Sequence, residues 1–508
     1  MATPIHIHPD NPKLFEFRGQ PLVLLTATEH YGAVMNRPFR FERYLADTAA
    51  HRMTLTRLFT LFRELQSANN PYSTCKPETP DYIAPFVRTG PGRACDQEWK
   101  YDLDRPNPEY FERLHRFVAL ASDYGIVVEV VLLSNTYAPH IWELNPLNAR
   151  NNINGLEGIE WPDYLSQRWP KSYERQVSHI QKIVTELNPY DNLIYEICNE
   201  PGGRAGGRPD TPSVDEVNQW LSALIRAVRE TEARLPNQHL IAGQEAFCYD
   251  PWEQRSDVSF HALNYDVVNM HPLPNTTYGG QSYPLGDFMS KQLTLRALRD
   301  YALATSVEPK PLNQDEDNVA SQYKDVDAWT IHRKRAWTTL LSGGHYDYID
   351  FSITPYSETG TPESRQYIRL WMQYLSDFIH AIDLVHARPL RGLVKEQPAN
   401  TLDVVFGVVY QDYYIYLADE RELAAARGLS DGDQIERDAG QPITGHIVFD
   451  VQAGPVSQVG RYQAAFFEPA SGVWSAPSAL SSAADGCVRL QLPPFVHDLV
   501  VHIHAAKA

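Results

Sequence analysis

Tyr195-Glu196-Ile197-Cys198-Asn199-Glu200-Pro201 is the stretch on which the fold turns. An apolar run from Leu193 to Asn199 has the length and texture of a buried strand. It ends on an acid followed by Pro201, which halts the strand and fixes the turn. A glycine-rich loop, Gly202-Gly203-Arg204-Ala205-Gly206-Gly207, comes next. Working outward, runs of the same texture lie upstream at Pro21–Thr28, Met53–Thr60 and Ile126–Ser134. Downstream they lie at His239–Glu245, Val267–His271, Pro311–Glu316 and Tyr346–Ser352. Helical patterns separate them. Asn107–Tyr124 has Pro108 in its first turn, where proline is favoured. Ser213–Glu232 opens with Glu216 three residues after Ser213, a capping-box arrangement. Gln322–Leu341 and Glu363–Ile382 carry apolar residues at helical spacing.

Alternation of short apolar runs with helices is the mark of βαβ units and a parallel sheet. Eight such units are what a closed (β/α)8 TIM barrel needs. The expected fold is therefore α/β, a barrel over residues 1–387. Ile5–Phe17 alternates and is expected as a hairpin closing the barrel floor. Two long excursions, Arg63–Tyr101 and Ala138–Lys171, follow the second and third strands, on the face where such barrels carry their chemistry. From about residue 388 the texture changes. Thr401–Leu417, His446–Val451, Gly460–Phe467 and Val488–His504 alternate like strands, with Arg421–Arg427 as a short helix and Ser471–Asp485 as a loop. Residues 388–508 are expected to form a small antiparallel β-sandwich.

Composition narrows the function. The 508 residues are 43% hydrophobic and 21% charged, with a formal net charge of −18. An acidic surface argues against nucleic-acid partners, whose phosphates demand basic ones, and makes anionic polysaccharides poorer substrates. The five cysteines are widely spaced and form no metal-ligand pattern, although Cys75 and Cys95 share one loop and could pair. No secretory signal, and no apolar run long enough to span a membrane, is visible, so the chain reads as cytoplasmic, or as secreted if a signal has been trimmed away. No cofactor motif occurs. His6 with His8, and His502 with His504, lack a third ligand for a metal.

Paired carboxyls remain. Cleaving a glycosidic bond with retention requires one to protonate the leaving oxygen and another to attack the anomeric carbon, about 5–5.5 Å apart. Barrel strand ends can supply that separation. The strand four ending Asn199-Glu200-Pro201 resembles the fourth strand of the retaining glycosidase clan A, which includes the family 5 cellulases and mannanases. The resemblance implies that Glu200 is the acid/base, that Asn199 contacts the sugar beside the reacting carbon, and that a strand-seven acid is the nucleophile. Lys310-Pro311-Leu312-Asn313-Gln314-Asp315-Glu316-Asp317 offers Glu316 for that role, with Asp315 as the alternative. Alternation along a strand sets Asp315 and Glu316 on opposite sides unless the strand ends between them. Three adjacent acids would also raise one another's pKa unless a cation is near.

Other positions follow. Arg57, on strand two, falls where the clan often has an arginine near the nucleophile; the alternative is a core ion pair with Glu196 or Glu129. His271 ends strand six, where a clan histidine or tyrosine touches the nucleophile; the alternative is a core histidine. Glu29, His30 and Tyr31 after strand one, Asn135 after strand three and Tyr348 on strand eight are expected to contact substrate. Glu196 is expected to be structural. Glu245, at the end of strand five, is open between substrate contact and a misplaced nucleophile. Ala336–Tyr346, with the Gly460-Arg461-Tyr462 and Pro469–Trp474 segments, also resembles barrels related to the family 140 apiosidases. The clan's sugar-stacking tryptophan is absent from strand eight, where Tyr348 or Phe351 could replace it. Together these readings imply a glycoside hydrolase with a carbohydrate substrate, probed against an inactive sugar-binding barrel or a transglycosidase. The aromatics of the C-terminal region, Tyr413, Tyr414, Tyr416 and Trp474, are read as support for the barrel more than as a glycan site. Sugar specificity and oligomeric state are not legible.

Overall fold

A computed structural model describes residues 3–28, 32–63, 81–286, 293–317, 326–349, 362–421, 440–451, 461–481 and 486–505. Eight parallel strands form the central sheet: Leu25–Thr28, Leu55–Phe59, Val127–Ser134, Leu193–Asn199, Leu240–Gly243, Val267–Met270, Leu312–Asp317 and His345–Ile349. Each hydrogen-bonds its neighbour in chain order, and the eighth pairs with the first, Tyr346 opposite Leu25. The first and second meet where the Thr54 N–H donates to the Leu25 carbonyl at 3.0 Å, which completes a (β/α)8 barrel. The third and fourth strands are buried at every residue, which is why parallel strands read as continuous apolar runs.

The helices begin as their sequences dictate. Asn107 caps Pro108–Asp123 by accepting from the Glu109 N–H. Ser213 and Glu216 form both halves of a capping box at Val214–Glu232, an arrangement worth about 1 kcal/mol.

The floor is a three-stranded antiparallel sheet, His6–Ile7, Phe15–Phe17 and Gln20–Leu22. The expected first run, Pro21–Thr28, is thus divided: its start belongs to the floor and only Leu25–Thr28 to the barrel. Ile5, Phe15 and Phe17 pack on Leu24, Leu55, Val127, Ile194, Ala242 and Val267, an apolar plug at the N-terminal strand ends. The excursion after strand two carries an antiparallel hairpin, Phe86–Arg93 with Trp99–Pro106. The one after strand three holds a short helix, Pro139–Trp142, and a 3-10 turn, Trp161–Asp163.

Beyond the barrel, two antiparallel sheets stack. One contains Arg388–Leu390, Thr401–Val408, Asp412–Asp419, Asp498–Ala505, Arg461–Glu468, Val473–Trp474 and Ser478–Ser481; the other contains Val394–Glu396, His446–Asp450 and Cys487–Gln491. Tyr413, Ile415, Ile447, Phe449, Val488 and Leu490 fill the space between them. Three readings are corrected here. Thr401–Leu417 is two strands, reversed around Tyr410 at φ 68°. Val488–His504 is also two, in different sheets, because Pro493 and Pro494 cannot donate to a ladder. Ser471–Asp485 contains two short strands as far as Ser481. Residues 422–427 of the expected short helix lie outside the described residues.

The outer face of the larger sheet packs on the barrel helices. Tyr416 stacks on Trp337 at 5.6 Å, and Tyr414 meets Phe378 edge-on. Arg333 of the helix Val326–Leu341 makes a buried two-point bond to Asp498, at 2.9 and 2.6 Å. Cys95 is a free thiol, and Cys75 lies outside the described residues. Among the described residues, no helix is long and apolar enough to cross a membrane.

Candidate active site

Above the apolar plug the barrel interior is charged, where such barrels usually carry branched aliphatics. Arg57 rises from strand two into the centre. Its Nη2 donates to Glu196 Oε2 at 2.5 Å and to Asn199 Oδ1 at 3.1 Å, and its Nη1 donates to Glu316 Oε1 at 2.5 Å. Asp315 lies 3.4 Å and Asp347 3.9 Å from the same guanidinium. The two roles open for Arg57 are therefore one arrangement: a core pair with Glu196 and a contact to Glu316 through different nitrogens. Glu129 instead accepts from Asn269 Nδ2 at 2.5 Å.

His271 closes the cluster from strand six. Its Nδ1 is 3.0 Å from Glu200 Oε1 and 3.6 Å from Glu316 Oε2, and its Nε2 is 3.1 Å from Asp315 Oδ2. An oxygen of Glu200, an oxygen of Glu316 and a ring nitrogen of His271 all lie within 4.8 Å of one another.

Strand seven departs from simple alternation. The register shifts between Gln314 and Asp317, and Glu316 sits at φ 53°. That irregularity brings Asp315 and Glu316 to the same side, contrary to the alternation expected of a regular strand. Asp317 points outward to Arg335 Nε at 2.6 Å and the Tyr346 hydroxyl at 2.7 Å. The three adjacent acids are thus shared among Arg57, His271 and Arg335. Glu200 also has left-handed backbone, at φ 46°. Such conformations cost a non-glycine residue about 1–3 kcal/mol and collect where side chains must be aimed.

Six carboxyls, those of Glu129, Glu196, Glu200, Asp315, Glu316 and Asp347, share this buried region with Arg57 and His271. Burial pushes Glu129 and Asp347 well above the usual carboxylate range, and Glu196 upward against the pull of Arg57. Neutral acids there avoid the desolvation of unbalanced charge. Asp315 is the exception: burial opposes its ionisation, but Arg57 and then His271 hold it below the usual range. Burial lifts Glu316 to about 7 although Arg57 and His271 pull it down. At Glu200 burial also acts upward, but the His271 hydrogen bond and charge prevail and keep it below the ordinary glutamate value. Burial disfavours the His271 imidazolium, and Glu316, Asp315 and Glu200 together raise it well above an ordinary histidine.

The other expected contacts are placed as follows. Asn199 is fully buried, with its amide on the Tyr137 hydroxyl at 3.0 Å as well as on Arg57. Asn135 donates to the Glu200 carbonyl at 3.0 Å and the Tyr249 hydroxyl at 2.9 Å, so it bears on Glu200 through the backbone. Tyr348 is corrected. It points out of the barrel onto His332, with ring centroids 4.2 Å apart, because Asp347 takes the inward position on that strand. Glu245 is buried apart from this cluster, and burial pushes it up to about 9. Glu29, His30, Tyr31 and Phe351 lie outside the described residues.

Sequence reasoning missed Asp347 and Tyr137. Inward parity on strand eight could have found the first; nothing marked Tyr137, whose hydroxyl also bonds Glu200. Aromatic rings gather at the mouth: Phe62 meets Tyr137 edge-on at 5.9 Å, and half-buried Trp161 meets Tyr249 at 6.5 Å.

Residues 85–336 match the family model for cellulase, glycosyl hydrolase family 5. An endoglucanase of Clostridium saccharobutylicum is 31% identical over 102 residues, a stretch that is 20% of this chain and 19% of that protein. The solved structure of a glycoside hydrolase shares the fold over 100% of this chain and 98% of its own, with TM-score 0.59 and 11% identity. A glycoside hydrolase family 5 structure from Bacteroides vulgatus does so over 99% and 93%, with TM-score 0.58 and 11% identity. The barrel has the fold of these glycoside hydrolases. The likeness to family 140 apiosidases rests on the sequence motifs alone.

Proposed function

We propose that this chain cleaves β-glycosidic bonds by double displacement, with Glu316 as nucleophile and Glu200 as acid/base, and releases sugar from a chain end. The observation that carries this reading is the spacing: Glu200 and Glu316 present oxygens within 4.8 Å of each other at the ends of strands four and seven. Retaining pairs stand about 5–5.5 Å apart, whereas inverting pairs leave about 6.5–9.5 Å for a water. The Phe86–Pro106 hairpin and the Ala138–Lys171 excursion follow the C-terminal ends of strands two and three, and their length favours a walled, exo-acting pocket. The endoglucanase relative shares too short a stretch to carry its endo mode across. The C-terminal sandwich, bonded to the barrel helices through Arg333–Asp498, supports the barrel.

Hydrolysis of a panel of nitrophenyl β-glycosides, followed by proton NMR of the first-formed anomer, tests the reading. The first product is the β anomer; an α anomer rules out double displacement. On oligosaccharides, single units appear from the start; early mid-length fragments would show endo action.

In place of the missing strand-eight tryptophan, Trp161 is proposed as a sugar platform. Trp161→Ala is expected to raise KM by up to about tenfold, since a stacking contact on an aromatic ring is worth about 0.5–1.5 kcal/mol, while kcat changes little. An unchanged KM would remove Trp161 from the site.

The pH dependence follows from the acid pair. With Glu200 held low and Glu316 lifted to about 7, the pair retains one proton up to that pH. Turnover requires that proton on Glu200, where it moves when substrate aligns. Losing it removes the acid, so kcat/KM falls as pH rises above about 7. A profile that rises through 7 and stays flat to pH 9 would mean the proton is not shared.

A further inference from the structure

Charge moves between the two carboxyls during the proposed reaction. When a Glu316 oxygen bonds the anomeric carbon, the bond to the leaving oxygen breaks and the Glu200 proton goes to that oxygen. Glu316 becomes a neutral ester and Glu200 a carboxylate. When water attacks, its proton goes to Glu200, the ester bond breaks and its electron pair returns to Glu316. One negative charge thus passes from Glu316 to Glu200 and back, over the short gap that His271 Nδ1 faces from both sides, 3.6 Å from one acid and 3.0 Å from the other.

The second ring nitrogen explains how His271 can serve both. Nε2 lies 3.1 Å from Asp315 Oδ2, and both Asp315 and His271 are buried. A histidine whose two nitrogens both face carboxylates is a two-sided donor. The groups around it are consistent. Glu196 and Glu200 face it from strand four, and Asp315 and Glu316 from strand seven. Arg57, on strand two, stands behind Asp315 and Glu316, and Asp347, on strand eight, hydrogen-bonds Asp315. Asp315 is the acid that strand seven could have offered as nucleophile. It is fully buried and bound to Arg57 and His271, away from the mouth, and the register shift before Asp317 frees Glu316 to take the outer position.

We propose that Asp315 is a positioning residue that clamps His271 through Nε2, so that the opposite Nδ1–H turns from Glu316 to Glu200 and back as the negative charge changes place. This rests on Glu200 and Glu316 being the catalytic pair. The donor stays within reach of both acids, so each keeps its His271 contact in the half-reaction in which it is charged.

The test is nitrogen-15 NMR of His271 in the full chain, with kinetics of Asp315→Asn and Asp315→Glu. In the parent enzyme both ring nitrogens are protonated at pH 7.5. In Asp315→Asn the titration midpoint of His271 drops by at least about one pH unit, as loss of an adjacent opposite charge predicts. In the same variant kcat falls at least about tenfold, with KM changed less than about twofold because Asp315 touches no sugar, and Asp315→Glu restores part of kcat. A neutral His271 in the parent enzyme overturns the proposal, and so does a folded Asp315→Asn with unchanged His271 titration. If Asp315→Asn does not fold, the parent spectrum decides alone. Full activity in Glu200→Gln or Glu316→Gln would instead remove the catalytic pair, whatever the parent-enzyme spectrum of His271 shows, so the two failures are distinguishable.

Discussion

Glu316→Gln abolishes measurable turnover of β-glycosides, and Glu200→Gln lowers kcat/KM by about three orders of magnitude for substrates with poor leaving groups. The losses differ in kind. A glutamine at 316 cannot form the ester, so both half-reactions stop. A glutamine at 200 still allows Glu316 to attack an activated nitrophenyl glycoside, but the ester then waits for an unassisted water. Azide separates the two roles. With Glu200→Ala, azide attacks the ester from the open face and yields the β-glycosyl azide. With Glu316→Ala, azide enters the space left by the side chain and attacks directly, giving the α-azide. Circular dichroism should match the parent in all four variants, because Arg57 and His271 keep their other partners, Glu196 and Asp315. Full activity in either glutamine variant, or the same azide anomer from both alanine variants, would dismantle the assignment.

The frame behind this prediction was largely visible in the residues. Leu193–Asn199 is the strand its apolar run describes, and each of the other seven runs overlaps a barrel strand. Parallel strands are buried on both faces, so their signal is a continuous run that neighbouring loops do not imitate. Glu200, Glu316, His271 and Arg57 meet in one cluster because they occupy strand ends or inward positions of that frame. What stayed hidden depends on local departures from period. The left-handed turn at Glu316 undoes alternation where Asp315 and Glu316 are the two candidate nucleophiles. The Phe86–Pro106 hairpin has an irregular register around Gly90 and Gly92, so its alternation is lost. Tyr348 has the chemistry of a sugar contact, but position on the strand decides direction, and Asp347 faces in. The charge balance of the interior was hidden as well, since acids scattered over strands three, four, seven and eight become neighbours only when the barrel closes.

Arg57 is where that balance is most exposed to change. It is the guanidinium bonded at once to Glu196, Asn199 and Glu316, with Asp315 and Asp347 within 4 Å. Arg57→Met keeps the length of the side chain and removes the cation, leaving buried carboxyls without their partner. Breaking a buried pair from one side costs about 3–5 kcal/mol, and urea unfolding should register a loss of that order. Catalysis should fall with it by at least about a hundredfold, because Glu316, already lifted by burial, then holds its proton through neutral pH and cannot attack. Arg57→Lys should not rescue either property, since one ammonium cannot bond Glu196 and Glu316 through separate nitrogens. Adding Glu196→Gln to Arg57→Met separates the two functions of the arginine. The second change removes one of the stranded acids, so part of the lost stability returns, as non-additivity between bonded neighbours requires. It does nothing for Glu316, so activity stays low. Recovery of both together would place the whole effect of Arg57 in the fold, and recovery of neither would mean that Glu196 is not the partner that Arg57 holds in place.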